Sequence, residues 1–179
     1  MTDALAALGV WPIEVELAGR TWTIPATPAA GWFIAILRED PLPIVPGMLD
    51  EDAQLDIVEM LAFGLVDADD IAQASRDALE VASGWRWWAA DRMIRSAGAE
   101  WKQVNGQLIR RGIDLQTLPL GAVLNALYAM AVEGRDEQKR TQFDFDLNRP
   151  PAGAMSEEER EEQAAAMFAE AFREAGGTG

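Results

Sequence analysis

The 179 residues specify a mainly α-helical chain with an N-terminal β-hairpin and an acidic C-terminal helix. Three observations point there. A period-of-two alternation around a glycine turn opens the chain. Apolar residues then recur at steps of three and four through most of the following residues. The diproline Pro150–Pro151 finally separates this body from a charged helical segment with its own start signal. The chain is therefore divided into a helical body over 1–151 and a helix with its tail over 152–179.

"WPIEVELAGRTWTIPATP" reads as a hairpin over about residues 12–25. Ile13, Val15 and Leu17 alternate with Glu14 and Glu16, "AGR" turns the chain, and Trp22 and Ile24 alternate with threonines on the return. Pro12 and Pro25 bracket it. A lone hairpin is marginal in water, so it is expected to lie on the helices that follow.

Pro28 opens a short helix carrying Trp32, Phe33, Ile36 and Leu37. "EDPLPIVPG" holds three prolines in nine residues and is expected to be neither helix nor central strand. Asp50 caps a helix over "EDAQLDIVEMLAFG", with Leu55, Val58, Leu61 and Ala62 read as its inward face and Gly64 as its stop. Asp67 or Asp69 starts another, with Ile71, Ala74, Ala78, Leu79 and Ala82 facing inward.

Trp87, Ala90, Ile94, Ala97, Trp101, Val104 and Leu108 form a helical stripe that predicts one unbroken helix through Gly98. Gly112 ends it, and Arg110 and Arg111 sit in the last turn, where the helix dipole favours them. "TLPLGAVLNALYAMAVEG" follows as a helix with Thr117 as cap, Gly134 as stop and Leu120, Val123, Leu124, Leu127 and Ala131 as apolar face. "FDFDLN" fits a short strand or a helix end. Beyond the diproline, Ser156 and Glu159 stand at capping-box spacing, and Ala165, Met167, Phe168 and Phe172 share a face of the helix expected over about 156–175.

The chain has no cysteine and no histidine. Disulfides, thiolate nucleophiles and Cys-ligated zinc are excluded, and the side chain best suited to proton transfer near neutral pH is missing. No phosphate-binding, nucleophile-elbow or zinc-helix motif occurs, so neither an enzyme nor a cofactor or metal site is expected. Asp67, Asp69 and Asp70 lack the sixth-position glycine and twelfth-position glutamate of a calcium loop and read as capping charge. No apolar run approaches the roughly 18 residues of a membrane span, and "MTDALAALGV" has no basic region before its apolar residues. A soluble, cytoplasmic protein is expected.

The net charge is −15, unevenly spread. Residues 84–112 hold six bases against two acids, whereas residues 1–83 hold fifteen acids against three bases. Four of the seven tryptophans fall in this basic stretch, "GWRWWAADRMIRSAGAEW". Tryptophan serves as core anchor, interface hot spot or stacking platform for bases. Trp87 and Trp101 fall on the apolar stripe and are expected in the core. Trp85 and Trp88 share a different side with Arg92 and Arg95; either another part of the chain, such as the hairpin with Trp22, covers it, or a partner does. The surrounding negative charge opposes nucleic-acid stacking, so no nucleic acid and no membrane partner is expected. The partner-binding candidates are Trp85, Trp88, Arg92, Arg95, Phe168 and Phe172, with a homo-oligomer expected.

"WRWWAADRMIRSAGAEWKQVNGQLIRRGIDLQTLPLGAVLNALYAM", residues 85–130, resembles a tryptophan-rich segment of the tail assembly chaperones of long-tailed actinobacterial bacteriophages. "IEVELAGRTWTIP" and "FDFDLNRPPAG" are similar too, so the likeness spans about 13–153. A pattern of tryptophans, a "GID" turn and a "PLG" helix start carries it. The resemblance implies a helical, non-enzymatic protein that coats the tape-measure protein while tail-tube subunits polymerise, then leaves the particle. It would act in the cytoplasm of the infected cell, be missing from the mature virion, and share its N-terminus with a longer frameshifted product. The family offers no catalytic residues. Rival readings are a virion component, such as a head–tail connector or tail-completion protein, and a host-directed regulator or acidic DNA mimic. The basic central helix argues against mimicry.

Overall fold

A computed structural model describes residues 9–38, 44–151 and 154. The chain divides into a unit over 1–148, which carries every element below, and a unit over 149–179. The acidic helix expected over 156–175, with Phe168 and Phe172, lies outside the described residues. Strands β1 (Ile13–Leu17) and β2 (Arg20–Ile24) come first. Helices α1 (Ala29–Leu37), α2 (Ile44–Met48), α3 (Glu51–Ala62), α4 (Ala68–Ser83) and α5 (Trp87–Ala99) follow. The described order closes with α6 (Trp101–Arg110), α7 (Leu120–Val132) and α8 (Glu137–Asn148). The fold is thus mostly helical with an N-terminal antiparallel hairpin, as the periodicity predicted.

The hairpin pairs Ile13 with Ile24 and Leu17 with Arg20. Ala18 and Gly19 make the turn, both at positive φ (49° and 72°), the geometry whose twist matches that of the strands. The alternation buries Ile13, Val15 and Leu17 and leaves Glu14 and Glu16 in solvent. The support is α4, against which β1 packs.

Helix α4 begins at Asp67, in a capping box: Asp67 Oδ1 accepts from the Asp70 N–H (2.8 Å) and Asp70 Oδ2 from the Asp67 N–H (3.0 Å). This is what the acidic triplet does. The helix stops at Gly84, in the left-handed conformation at φ 69°. Its inward face is Ile71, Ala74, Ala78 and Leu79, as predicted, with Ser75 and Ser83 buried beside them. The Ser75 hydroxyl accepts from the Val45 N–H (3.2 Å), and the Ser83 hydroxyl donates to the Leu79 carbonyl (2.6 Å).

Four local expectations are corrected. The proline-rich stretch was expected to be non-helical, yet Ile44–Met48 is helical, with Val45 buried. Pro46 lies in its first turn, where a missing N–H forfeits no bond. The face chosen for α3 is its outer one: Ile57 and Met60 are buried, whereas Leu55, Val58, Leu61 and Ala62 are exposed. The helix predicted through Gly98 is two, because the chain turns at Glu100 (φ −109°, ψ 29°), whose carbonyl then accepts from Gln103 and Val104 as α6 begins. The turn carries Trp101 out of the core, to 39% exposure. Finally, α7 starts after Pro119 rather than at Thr117, whose hydroxyl instead donates to the Asp114 carbonyl (3.3 Å).

The core centres on α5. Its Ala89, Ala90, Met93, Ile94 and Ala97 are buried, and α1, α4, α7 and α8 all pack on it. The "FDFDLN" residues complete helix α8, with Leu147 buried. Asp136 precedes that helix, and its carboxylate accepts from the Lys139 N–H (2.9 Å) and pairs with the Lys139 ammonium (3.0 Å). The Lys139 backbone N–H, and then its side chain, hold the Asp136 carboxyl below the usual carboxylate value.

A carboxyl whose pKa is lower folded than unfolded lends stability above its unfolded value and loses it as pH falls through the folded one. The effect is small at this exposed position. Asn caps a helix as well as Asp does. Asp136→Asn is therefore expected to leave neutral-pH stability nearly unchanged and to flatten the loss below about pH 4. Thermal melts of both proteins across pH 2.5–7 check this; equal acid limbs would show that the pairing contributes nothing.

Candidate protein-binding site

Most of the tryptophan–arginine side of α5 makes its contacts within the fold. Trp85, just ahead of the helix, donates its indole N–H to Asn125 Oδ1 on α7 (3.1 Å) and sets its ring edge against Tyr128. Trp88 donates to the Asn148 carbonyl (3.1 Å), and one Arg92 nitrogen donates to the carbonyls of Asp146 (2.9 Å) and Leu147 (3.1 Å). The last carbonyls of a helix have no partner within it and carry partial negative charge. Here α5 supplies the missing donors for α8. The covering elements are α7 and α8, not the hairpin.

The remaining members of the stretch have local partners. Trp87, expected in the core, is only half-buried at the start of α5, with the Arg76 guanidinium 4.9 Å from its ring centroid, and its backbone N–H donates to Glu80 Oε1 (3.0 Å). Arg95 pairs with Asp91, four residues earlier on the same helix, at 2.9 Å. Of the six partner-binding candidates, Trp85, Trp88 and Arg92 thus come together against α7 and α8. Arg95 stands on the solvent side, and Phe168 and Phe172 lie outside the described residues.

The open apolar surface is elsewhere. A groove of about 710 Å³ runs between α1 and α6 and is closed at one end by the 112–116 loop. Ile34 and Leu37 of α1 form one wall, Trp101, Asn105 and Ile109 of α6 the other, and Gly98 the floor. Phe33 lies beneath, its ring centroid 6.1 Å from that of Trp101. The loop is fixed to α1 because the Ala29 and Ala30 N–H groups donate to the Leu118 and Leu115 carbonyls, both at 2.9 Å. These are first-turn amides that no helix satisfies internally.

At Gly98 a Cβ would lie 2.6 Å from Leu37 Cδ2, so glycine lets α1 approach closely there. The walls are unusually bare. Ile109 is 68% exposed and Ile34 55%. Polar groups are few: the Asp114 carboxylate accepts from the Gln116 N–H (2.9 Å), leaving Asn105 and Gln116 as the neutral polar lining.

A second apolar surface is the outer side of α3, where Leu55 is 66% exposed and Val58 60%. Ile57 and Met60, on the opposite side, hold the helix down. Sequence reasoning missed both surfaces. The signal for α3 was present, since two apolar sets compete in "EDAQLDIVEMLAFG" and one helix cannot bury both. The signal for the groove was not, because Trp101 leaves the core only through the turn at Glu100.

No protein-family model matches this chain, and neither a curated protein nor a solved structure matches it. Among the described residues no three carboxylates gather into a group able to hold a metal ion, and no helix is long and apolar enough to cross a membrane.

Arg92→Ala is expected to cost about 1–2 kcal/mol, since it removes the charge-assisted hydrogen bonds to the Asp146 and Leu147 carbonyls at the end of α8, the second of them part-buried. Arg95→Ala, which breaks a surface pair, should stay within about 0.5 kcal/mol. Urea denaturation of the two variants separates the roles, and equal losses would contradict them.

Proposed function

We propose that this chain is a helix-capturing chaperone of phage tail assembly, holding amphipathic segments of the tape-measure protein while tail-tube subunits polymerise. The observation that carries the reading is the α1–α6 groove. It is open and mostly apolar, and it presents Trp101, Ile34, Leu37 and Ile109 to solvent. An amphipathic helix binds such a groove through anchors at i, i+3 or i+4, and i+7, with no need for directional polar contacts. A chaperone that must hold many segments of one long client benefits from that tolerance.

The charge of −15 fits the same role, because high net charge keeps a protein with bare apolar surface from precipitating. The likeness of residues 85–130 to tail assembly chaperones supplies the client, and the groove supplies the means. The reading involves no chemical step and asks for no cofactor.

The test is co-expression with the tape-measure protein. Ile34→Asp with Ile109→Asp places two charges in the groove at exposed positions, so the fold should persist. The wild-type chain is expected to keep the client soluble and to co-purify with it, and the double variant to lose both. A double variant that melts normally and still solubilises the client would remove the groove from the function.

A further inference from the structure

Helix α3 packs chiefly on α2, with Ile57 and Met60 facing inward. Its outer side leaves Leu55, Val58 and Leu61 bare, and just beyond its end Phe63 is 71% exposed and Leu65 65%. A contiguous run of large apolar side chains in solvent marks a surface that another molecule covers.

The charge around this ridge is of one sign. Helix α3 holds four acids, Glu51, Asp52, Asp56 and Glu59, and no base. Residues three and four apart are neighbours on a helix surface, so Leu55 is surrounded by Glu51, Asp52, Val58 and Glu59. Asp56 pairs with Arg20 at 3.7 Å, whereas Glu51, Asp52 and Glu59 make no ion pair among the described residues. The helix dipole favours Glu51 and Asp52 in the first turn. It does not favour Glu59, which stands in the last turn beside Leu55.

An apolar ridge fringed by unpaired carboxylates complements an apolar stripe flanked by lysine or arginine. We infer that the outer side of α3 receives a basic amphipathic helix of a different protein. The stripe of that helix covers Leu55 and Val58, and its bases meet Asp52 and Glu59. Lysine and arginine suit the place because their stems cover apolar surface while their charged ends reach carboxylates. A second copy of this chain does not supply such a stripe. Its own α3 would set acids against acids, and Asp114 is the one charged residue lining its α1–α6 groove among the described residues. The inference rests neither on that groove nor on its client.

The test is fluorescence anisotropy with the intact chain and two labelled helical peptides that share a leucine stripe. One peptide flanks the stripe with lysines, the other with glutamates. The lysine-flanked peptide is expected to bind about tenfold tighter or more, and to weaken as salt is raised. Any chain of charge −15 attracts lysines, so variants carry the decision. Val58→Asp adds an acid, yet it should weaken binding about tenfold or more because it interrupts the ridge. Leu55→Asp replaces it should that variant fail to melt cooperatively, since both side chains are exposed. Asp52→Asn with Glu59→Gln should weaken binding clearly. Glu14→Gln with Glu137→Gln removes the same charge at exposed positions elsewhere and should change it little. Ile109→Asp, in the groove, should bind as the wild type does.

Equal binding of the two peptides, binding of neither, or full binding by the ridge variant would overturn the inference. So would loss of binding in Ile109→Asp, or equal effects of the two charge-removing pairs. A wild-type dimer that Val58→Asp splits in sedimentation would give the ridge to a second copy and overturn it as well.

Discussion

The close packing of other helices on α5 is the contact on which the rest of the fold depends. Ala89, Ala90 and Ala97 keep its buried surface shallow, Met93 and Ile94 fill the space between neighbours, and Gly98 lets α1 cross near its end. Small residues permit near approach, and near approach lets one short helix serve several partners. Substituting any of these alanines by a larger residue would overpack several contacts at once.

That position explains why the tryptophans and arginines cluster where they do. A helix packed on several sides has neighbours whose ends fall near it, and helix ends carry unpaired backbone groups. Trp88 and Arg92 reach out from α5 to the last carbonyls of α8, and Trp85 ties the start of α5 to α7. Indole and guanidinium suit the task because each combines an apolar body with a donor at its tip. The basic island is therefore partly structural.

Much of the fold was legible in the sequence because local chemistry determined it. The alternation in β1, the capping box at Asp67 and the glycines at 84, 112 and 134 each act within a few residues. What failed was decided at longer range. Whether Leu55 or Ile57 faces inward depends on which neighbour α3 meets, and "EDAQLDIVEMLAFG" supports either side. The turn at Glu100 has no proline to announce it, so the stripe from Trp87 to Leu108 read as continuous. The site was less legible than the fold for this reason. The residues richest in binding chemistry, Trp85, Trp88 and Arg92, contact α7 and α8, while a plain stripe of Ile34, Leu37 and Ile109 remains in solvent.

The proposed capture of a client helix puts its contact at Trp101 and not at Trp85 or Trp88. Indole resonances report it directly, because each of the seven tryptophans gives its own signal in protein labelled with fluorotryptophan. On titration with an amphipathic segment of the tape-measure protein, the Trp101 signal is expected to shift while those of Trp85 and Trp88 stay in place. Shifts at Trp85 and Trp88 with Trp101 unmoved would contradict the account.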